Sequence, residues 1–353
     1  MMTNPLVLQA EQLDAQGLHD DAINQLALAT RNGDLEAKTR LGKRLFSGHN
    51  APYLPREGAS FIIEAGQGGN AEAAALSSVL LAAGVMGKRN WPLALQALAV
   101  AAARNWLPAQ EQLAILLSLD TSNPAPTAAH RWSEAQWLEA GQRIELERWW
   151  QVPAAITVHE DPLLRSFPDF IPPLLCERLI KLSRNRLQRA EVYDPHHRRN
   201  IKASSRTNSI AQFTLLDHEL LHLLLQEKMA RACGVDAAQM EATAVLHYAP
   251  GEEITNHYDF VDPQLVNYAE EIALNGQRII TFLIYLNDDY ADGETLFPRL
   301  GIKHKGRRGE GFYFVNCIAQ EPDLRSWHAG RSPQNGEKWI VSQFIRNHAI
   351  VRV

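Results

Sequence analysis

Over the first third of the chain, small and large apolar residues recur with a period of 36. Ala22, Gly58 and Ala94 fall in register; so do Leu26, Ile62 and Leu98, then Ala29, Ala65 and Ala101, then Ala37, Ala73 and Ala109. Polar breaks keep the same spacing, at Asn32-Gly33-Asp34, Gly68-Gly69-Asn70 and Arg104-Asn105-Trp106. A fixed period of this length predicts stacked helical hairpins, with small residues where helices approach and large aliphatics filling the shared core. The run from Ser47 to Pro55 reads as an insertion between helices. A helical-looking stretch from Thr127 to Trp150 carries Trp132, Trp137, Trp149 and Trp150, and is expected to cap the array as core or interface. From about Pro153 the pattern shifts to short β-branched and aromatic runs broken by Gly, Pro, Asn and Asp. Helices are predicted over 173–185 and 217–232, and strands over 241–248, 278–286, 311–315 and 338–346. Many short strands at modest spacing predict a sandwich or barrel.

Composition narrows the class. The chain has 353 residues, long for one core and sufficient for two domains. Hydrophobic residues make up 46% and charged residues 21%, an ordinary globular balance. A net charge of −5 gives no reason to expect nucleic acid or a membrane surface as partner. Cys176, Cys233 and Cys317 are odd in number and widely spaced, neither a disulfide framework nor a zinc pattern. The amino terminus lacks a basic region followed by an apolar core, and no apolar run is long enough to span a bilayer. The expectation is a cytoplasmic protein.

The chemistry-bearing residues lie late in the chain. His257 and Asp259 are two apart, so on an extended strand both side chains would share a face. His328, in Ser326-Trp327-His328-Ala329-Gly330, would join them from another strand. Two imidazoles and one carboxylate suit iron(II) and leave coordination positions open. Lys338 is followed by apolar Trp339, Ile340 and Val341, so it is expected on a buried strand, where an ammonium needs a partner.

Several blocks in one order then carry a family resemblance. Phe170 to Glu177, Arg206-Thr207-Asn208, Tyr248 with Pro250-Gly251, His257-Tyr258-Asp259, Gly293 to Pro298, and His328 followed by Lys338 resemble the prolyl 4-hydroxylase family of 2-oxoglutarate-dependent oxygenases over residues 163–347. Residues 5–120 resemble the tetratricopeptide superfamily, its Sel1-like branch in particular. The resemblance implies an N-terminal α-helical repeat domain over 5–150 and a C-terminal double-stranded β-helix, or jelly roll, with flanking helices over 160–353. It implies iron(II) on His257, Asp259 and His328, with 2-oxoglutarate and dioxygen as co-substrates and ascorbate as a reductant. Lys338 would pair with the 2-oxoglutarate C5 carboxylate, with Tyr248 and Thr295 hydroxyls beside it; Arg346 is the fallback anchor.

The departures concern the substrate. Ile254 stands where many relatives carry a tyrosine that contacts it, and Asn208 replaces a serine. Both weaken a peptidyl proline as the target. The run His196-His197-Arg198-Arg199, with Lys202 and Arg206, reads as a solvated loop or as a lid attracting an acidic substrate. Arg198, Arg199, Arg206 and Ile254 are the candidate substrate residues. Two enzyme readings stay open: a protein or peptide hydroxylase whose repeats recruit the target, and a small-molecule hydroxylase whose repeats form a homo-oligomer. A catalytically dead interaction protein is disfavoured by the intact His257, Asp259, His328 and Lys338.

Overall fold

The computed structural model describes residues 4–119, 132–194, 199–265, 268–319 and 321–350. The chain divides into two compact units, Met1–Trp149 with Leu215–Leu225, and Trp150–Thr214 with Gln226–Val351.

The first unit is helical: α1 (Pro5–Ala15), α2 (His19–Arg31), α3 (Leu35–Ser47), α4 (Pro55–Gly68), α5 (Ala71–Ala83), α6 (Trp91–Ala103), α7 (Leu107–Leu117), α8 (Glu134–Arg143) and α9 (Leu146–Trp150). Helices α2, α4 and α6 start 36 residues apart, as do α3, α5 and α7. All twelve positions of the sequence repeat are buried. The breaks serve as predicted. Gly33 and Gly69 take left-handed φ of 86° and 112°, and the following Asp34 and Asn70 cap α3 and α5 by accepting from the Ala37 and Ala73 amides at 2.8 and 2.9 Å. Gly58 is required by close approach: a Cβ there would lie 2.4 Å from the Phe46 amide nitrogen and 2.5 Å from the Gly42 carbonyl oxygen. The tryptophan segment is helical in its described part, and 127–131 lie outside the described residues. Trp149 is buried and donates from Nε1 to the Leu116 carbonyl at 2.9 Å. A segment distant in sequence completes this unit. Leu215 and Leu216 pack on the Phe46–Ile62 cluster, and the buried Gln112 side chain accepts from the Leu220 amide at 2.9 Å.

The second part of the chain holds α10 (Pro173–Arg184), α11 (Leu220–Cys233) and α12 (Tyr268–Asn275). Its strands begin with β1 (Ile156–His159), β2 (Leu164–Phe167), β3 (Gln188–Arg189), β4 (Val192–Asp194), β5 (Arg199–Ile201), β6 (Ser209–Gln212), β7 (Ala244–Tyr248), β8 (Ile254–His257) and β9 (Arg278–Tyr285). After these come β10 (Ala291–Asp292), β11 (Thr295–Phe297), β12 (Ile302–His304), β13 (Gly311–Val315), β14 (Cys317–Ile318), β15 (Glu321–Pro322), β16 (His328–Gly330), β17 (Pro333–Gln334) and β18 (Lys338–Arg346). An eight-stranded antiparallel sheet runs β1-β2-β13-β9-β18-β7-β6-β3, and a four-stranded one runs β12-β11-β16-β8. Leu246, Leu283, Phe312 and Ile340 of the larger sheet share one core with Ile254 and Phe297 of the smaller. Two antiparallel sheets closing on a common apolar interior make a double-stranded β-helix.

Candidate active site

The smaller sheet brings two histidines together. His257 ends β8, His328 begins β16, and the two are direct partners in the antiparallel register. Their ring centroids lie 4.3 Å apart. Asp259 does not share the strand of His257. It lies in a bend two residues beyond β8, because pairing with β16 stops at His257 and Tyr258 turns to stack on Phe260 at 4.5 Å. The bend returns the carboxylate to the same point. Asp259 Oδ1 is 3.4 Å from His257 Nε2, and Oδ2 is 3.4 Å from His328 Nε2. Ligand atoms from all three lie within 4.8 Å of one another.

The surroundings fix the ligand form. His257 Nδ1 faces the Thr255 carbonyl at 2.8 Å, and His328 Nδ1 faces the Ser326 carbonyl at 2.9 Å. A carbonyl only accepts, so each Nδ1 carries the proton and each Nε2 keeps its lone pair for the centre. Burial, then electrostatic competition from the adjacent His328 ring, pushes the His257 pKa down. Burial alone would raise Asp259, but the two histidines beside it hold the carboxyl well below its usual range. Neutral imidazole and ionised carboxylate are the forms that bind a divalent cation. A further chain orients the carboxylate: Thr281 Oγ1 donates to Asp259 Oδ2 at 2.7 Å, and Asn316 Nδ2 donates to Thr281 Oγ1 at 2.9 Å. Two nitrogens and one oxygen converging from one side fit iron(II) with positions left for other ligands.

The larger sheet supplies a buried cation. Lys338 opens β18 opposite Tyr248 of β7 and has no exposed surface. Its ammonium donates to the Gly293 carbonyl at 2.7 Å and faces the Tyr248 and Tyr285 rings, 5.1 and 5.8 Å from their centroids. Burial lowers its pKa to about 7. Thr295 Oγ1 and Tyr285 Oη are 3.0 Å apart. His257, Asp259, His328, Lys338, Tyr248 and Thr295 all line one cavity of about 790 Å³.

Of the candidate substrate residues, Arg206 and Ile254 line the same cavity and form a β-bridge with each other. Arg199 lies on β5, and Arg198 lies outside the described residues. Arg346 cannot serve as the fallback anchor. It is buried and committed to Glu241 at 2.6 Å and Glu271 at 2.7 Å, while Arg278 binds Glu241 through two further bonds. Asn208 is buried and bonded to the Ser209 carbonyl and to Arg206, so that departure is internal. His304 is structural, paired with Glu310 at 2.8 Å. Thr281 and Tyr285 escaped the sequence reading. The available signal was their parity with Leu283: polar groups on one face of an otherwise apolar strand.

Residues 243–346 match the 2OG-Fe(II) oxygenase superfamily. Prolyl 4-hydroxylase 1 of Arabidopsis thaliana is 29% identical over 205 residues, covering 53% of this chain and 70% of that protein. The viral collagen prolyl hydroxylase of Paramecium Bursaria Chlorella virus-1, solved as a 2OG complex, is 23% identical with a TM-score of 0.41, over 52% of this chain and 95% of that one. A Sel1 repeat protein from Oxalobacter formigenes aligns over 38% of this chain and 54% of its own, with 17% identity and a TM-score of 0.27. The chain thus carries a 2OG-Fe(II) oxygenase domain and is a 2-oxoglutarate-dependent dioxygenase, homologous to the prolyl 4-hydroxylases, that works with Fe(II), 2-oxoglutarate and dioxygen.

Proposed function

We propose that the enzyme hydroxylates a C–H bond of a protein or peptide substrate, with a prolyl residue as the first target to test. The observation that carries this reading is the opening of a His-Asp-His cluster and a buried lysine into one cavity. His257, Asp259 and His328 would hold iron(II), and Lys338 would receive the distal carboxylate of 2-oxoglutarate. Bound together, metal and co-substrate supply the oxidising power to activate dioxygen. The chain's own residues do the rest. The Lys338 ammonium has one carbonyl acceptor and two aromatic faces, and no carboxylate bonded to it among the described residues, so an incoming carboxylate supplies its missing counter-ion. The Thr295 and Tyr248 hydroxyls stand in the same wall. Apolar Ile254, Leu246 and Ile340 keep water from the interior between the two anchors.

The recruiting role of the helical array and the division into domains at 5–150 and 160–353 belong to the same reading. Incubating the loaded enzyme with proline-containing peptides and with free amino acids tests it by mass spectrometry. The expected result is one added oxygen on a peptide, with matched succinate. Oxidation of free amino acids alone would replace it with the small-molecule reading, to which Ile254 in the cavity wall lends support. Ascorbate as reductant is tested by whether it restores turnover after uncoupled cycles.

A further inference from the structure

The basic run between β4 and β6 has no role in the chemistry above. Beside the metal cavity opens a second one of about 330 Å³, and the two share Glu191, Arg206, Ile210 and Gln212. Its wall carries three cations, Arg189, Lys202 and Arg206, against one carboxylate, Glu191. The guanidinium groups are held in place. Arg189 donates to the Thr207 carbonyl and lies 3.8 Å from Glu252, and Arg206 Nε donates to Asn208 Oδ1 at 3.3 Å. Each of these bonds uses one nitrogen of a guanidinium fork with five N–H donors. Lys202 is exposed on the same wall.

We propose that this side cavity is a subsite for an acidic side chain, so that the substrate is a peptide with an aspartate or glutamate close to the hydroxylated residue. The inference rests on the macromolecular-substrate reading and adds the chemical class. Arg206 belongs to both walls, so the acidic residue and the target lie within a few positions of each other. An extended chain advances roughly 3.3 Å per residue. A single carboxylate matches the wall better than a polyanion does, because Glu191 sits at the seam and the whole chain carries a net charge of −5. Ordered guanidinium donors favour a planar carboxylate.

The test uses the full-length protein and fluorescein-labelled peptides with one central proline in a Gly-Ala frame. Asp, Ala or Lys is placed in turn at each of the neighbouring positions, and binding is read by anisotropy. Asp at one position should bind roughly tenfold or more tighter than Ala, with Lys weakest, as expected for a charge-assisted bond. Lys202→Glu and Arg189→Glu should invert that order, and Lys202→Gln should flatten it at an unchanged melting temperature. Equal affinity for Asp, Ala and Lys peptides overturns the subsite. So does an Asp preference that survives both charge reversals, or the absence of binding by every peptide. Mass spectrometry of the same peptides reports separately on the proposed function: charge-selective binding without hydroxylation removes proline as the target and leaves the subsite standing.

Discussion

Lys338 is the residue whose environment makes the sharpest demand. Its pKa near 7 means that the ligand-free folded protein holds this amine partly neutral at physiological pH, whereas the unfolded chain keeps it charged to about 10.5. The folded pKa is depressed, so the unfolded state binds more protons between those values, and this group's contribution to stability rises with pH across that window. Binding of a dicarboxylate reverses the preference and charges the amine. At pH 8, 2-oxoglutarate should therefore bind with uptake of a proton, and at pH 6 with almost none. Calorimetry in two buffers of different ionisation enthalpy reads this directly, and the same observed heat in both buffers at pH 8 would remove Lys338 as the anchor. Lys338→Ala should raise the 2-oxoglutarate KM by about two to four decades, the equivalent of the roughly 3–5 kcal/mol lost when one member of a buried pair is removed. Iron affinity should stay nearly unchanged. The complementary change is Thr281→Val, which frees the Asp259 carboxylate from its donor. It should lower Fe(II) affinity by about 10–100-fold while the 2-oxoglutarate site keeps its geometry. Metal titration that showed no loss would make Thr281 a packing residue only.

Among the elements, those with a strong local signal were legible and those held by distant partners were not. The 36-residue period predicted both helices of each hairpin because the register of small residues is itself the packing constraint. Strands over 311–315 and 338–346 match the observed β13 and β18. Both strands are buried on both faces along almost their whole length, so apolar residues fill successive positions, unbroken in β13 and interrupted in β18 by Ser342 and Gln343. The spacing of His257 and Asp259 predicts one extended strand, but Asp259 lies in a bend beyond β8, since nothing local announces that β8 ends at His257 while its partner strand turns away. Strands β3 to β5 carry no local signal because they are two or three residues long and owe their conformation to pairing. The same view of close packing yields a stability prediction. Gly58→Ala sets a methyl against the Phe46 and Gly42 backbone, which cannot step aside as a side chain would. It should destabilise the helical unit by roughly 1–3 kcal/mol, visible as a lower-temperature loss of ellipticity. An unchanged melt would show that α3 and α4 can separate without cost.

At the scale of the whole molecule, the sequence separates two kinds of texture, and the structure adds a crossing that texture cannot reveal. Residues 215–225 belong to the helical unit although they follow the first strands of the oxygenase domain. No periodicity links them to the repeats, because the link is a single tertiary contact set. Truncating the chain at 149 therefore removes the partners of Leu215 and Leu216 as well as the array. The shortened protein should aggregate or elute in the void volume on size exclusion, whereas a chain that keeps the array should stay monodisperse at the same concentration. A well-behaved truncation would show the 215–225 segment to be self-sufficient.

That crossing also has a consequence on the ribosome. When residue 150 has been synthesised, the cluster around Phe46 and Ile62 still lacks its last apolar cover, carried on a segment that is complete only at Leu225, about 75 residues later. At usual elongation rates of about 5–20 residues per second, the nascent array waits roughly 4–15 s with that patch open. Release of the array from chaperones should thus coincide with emergence of residue 225 from the exit tunnel, not with completion of the repeats.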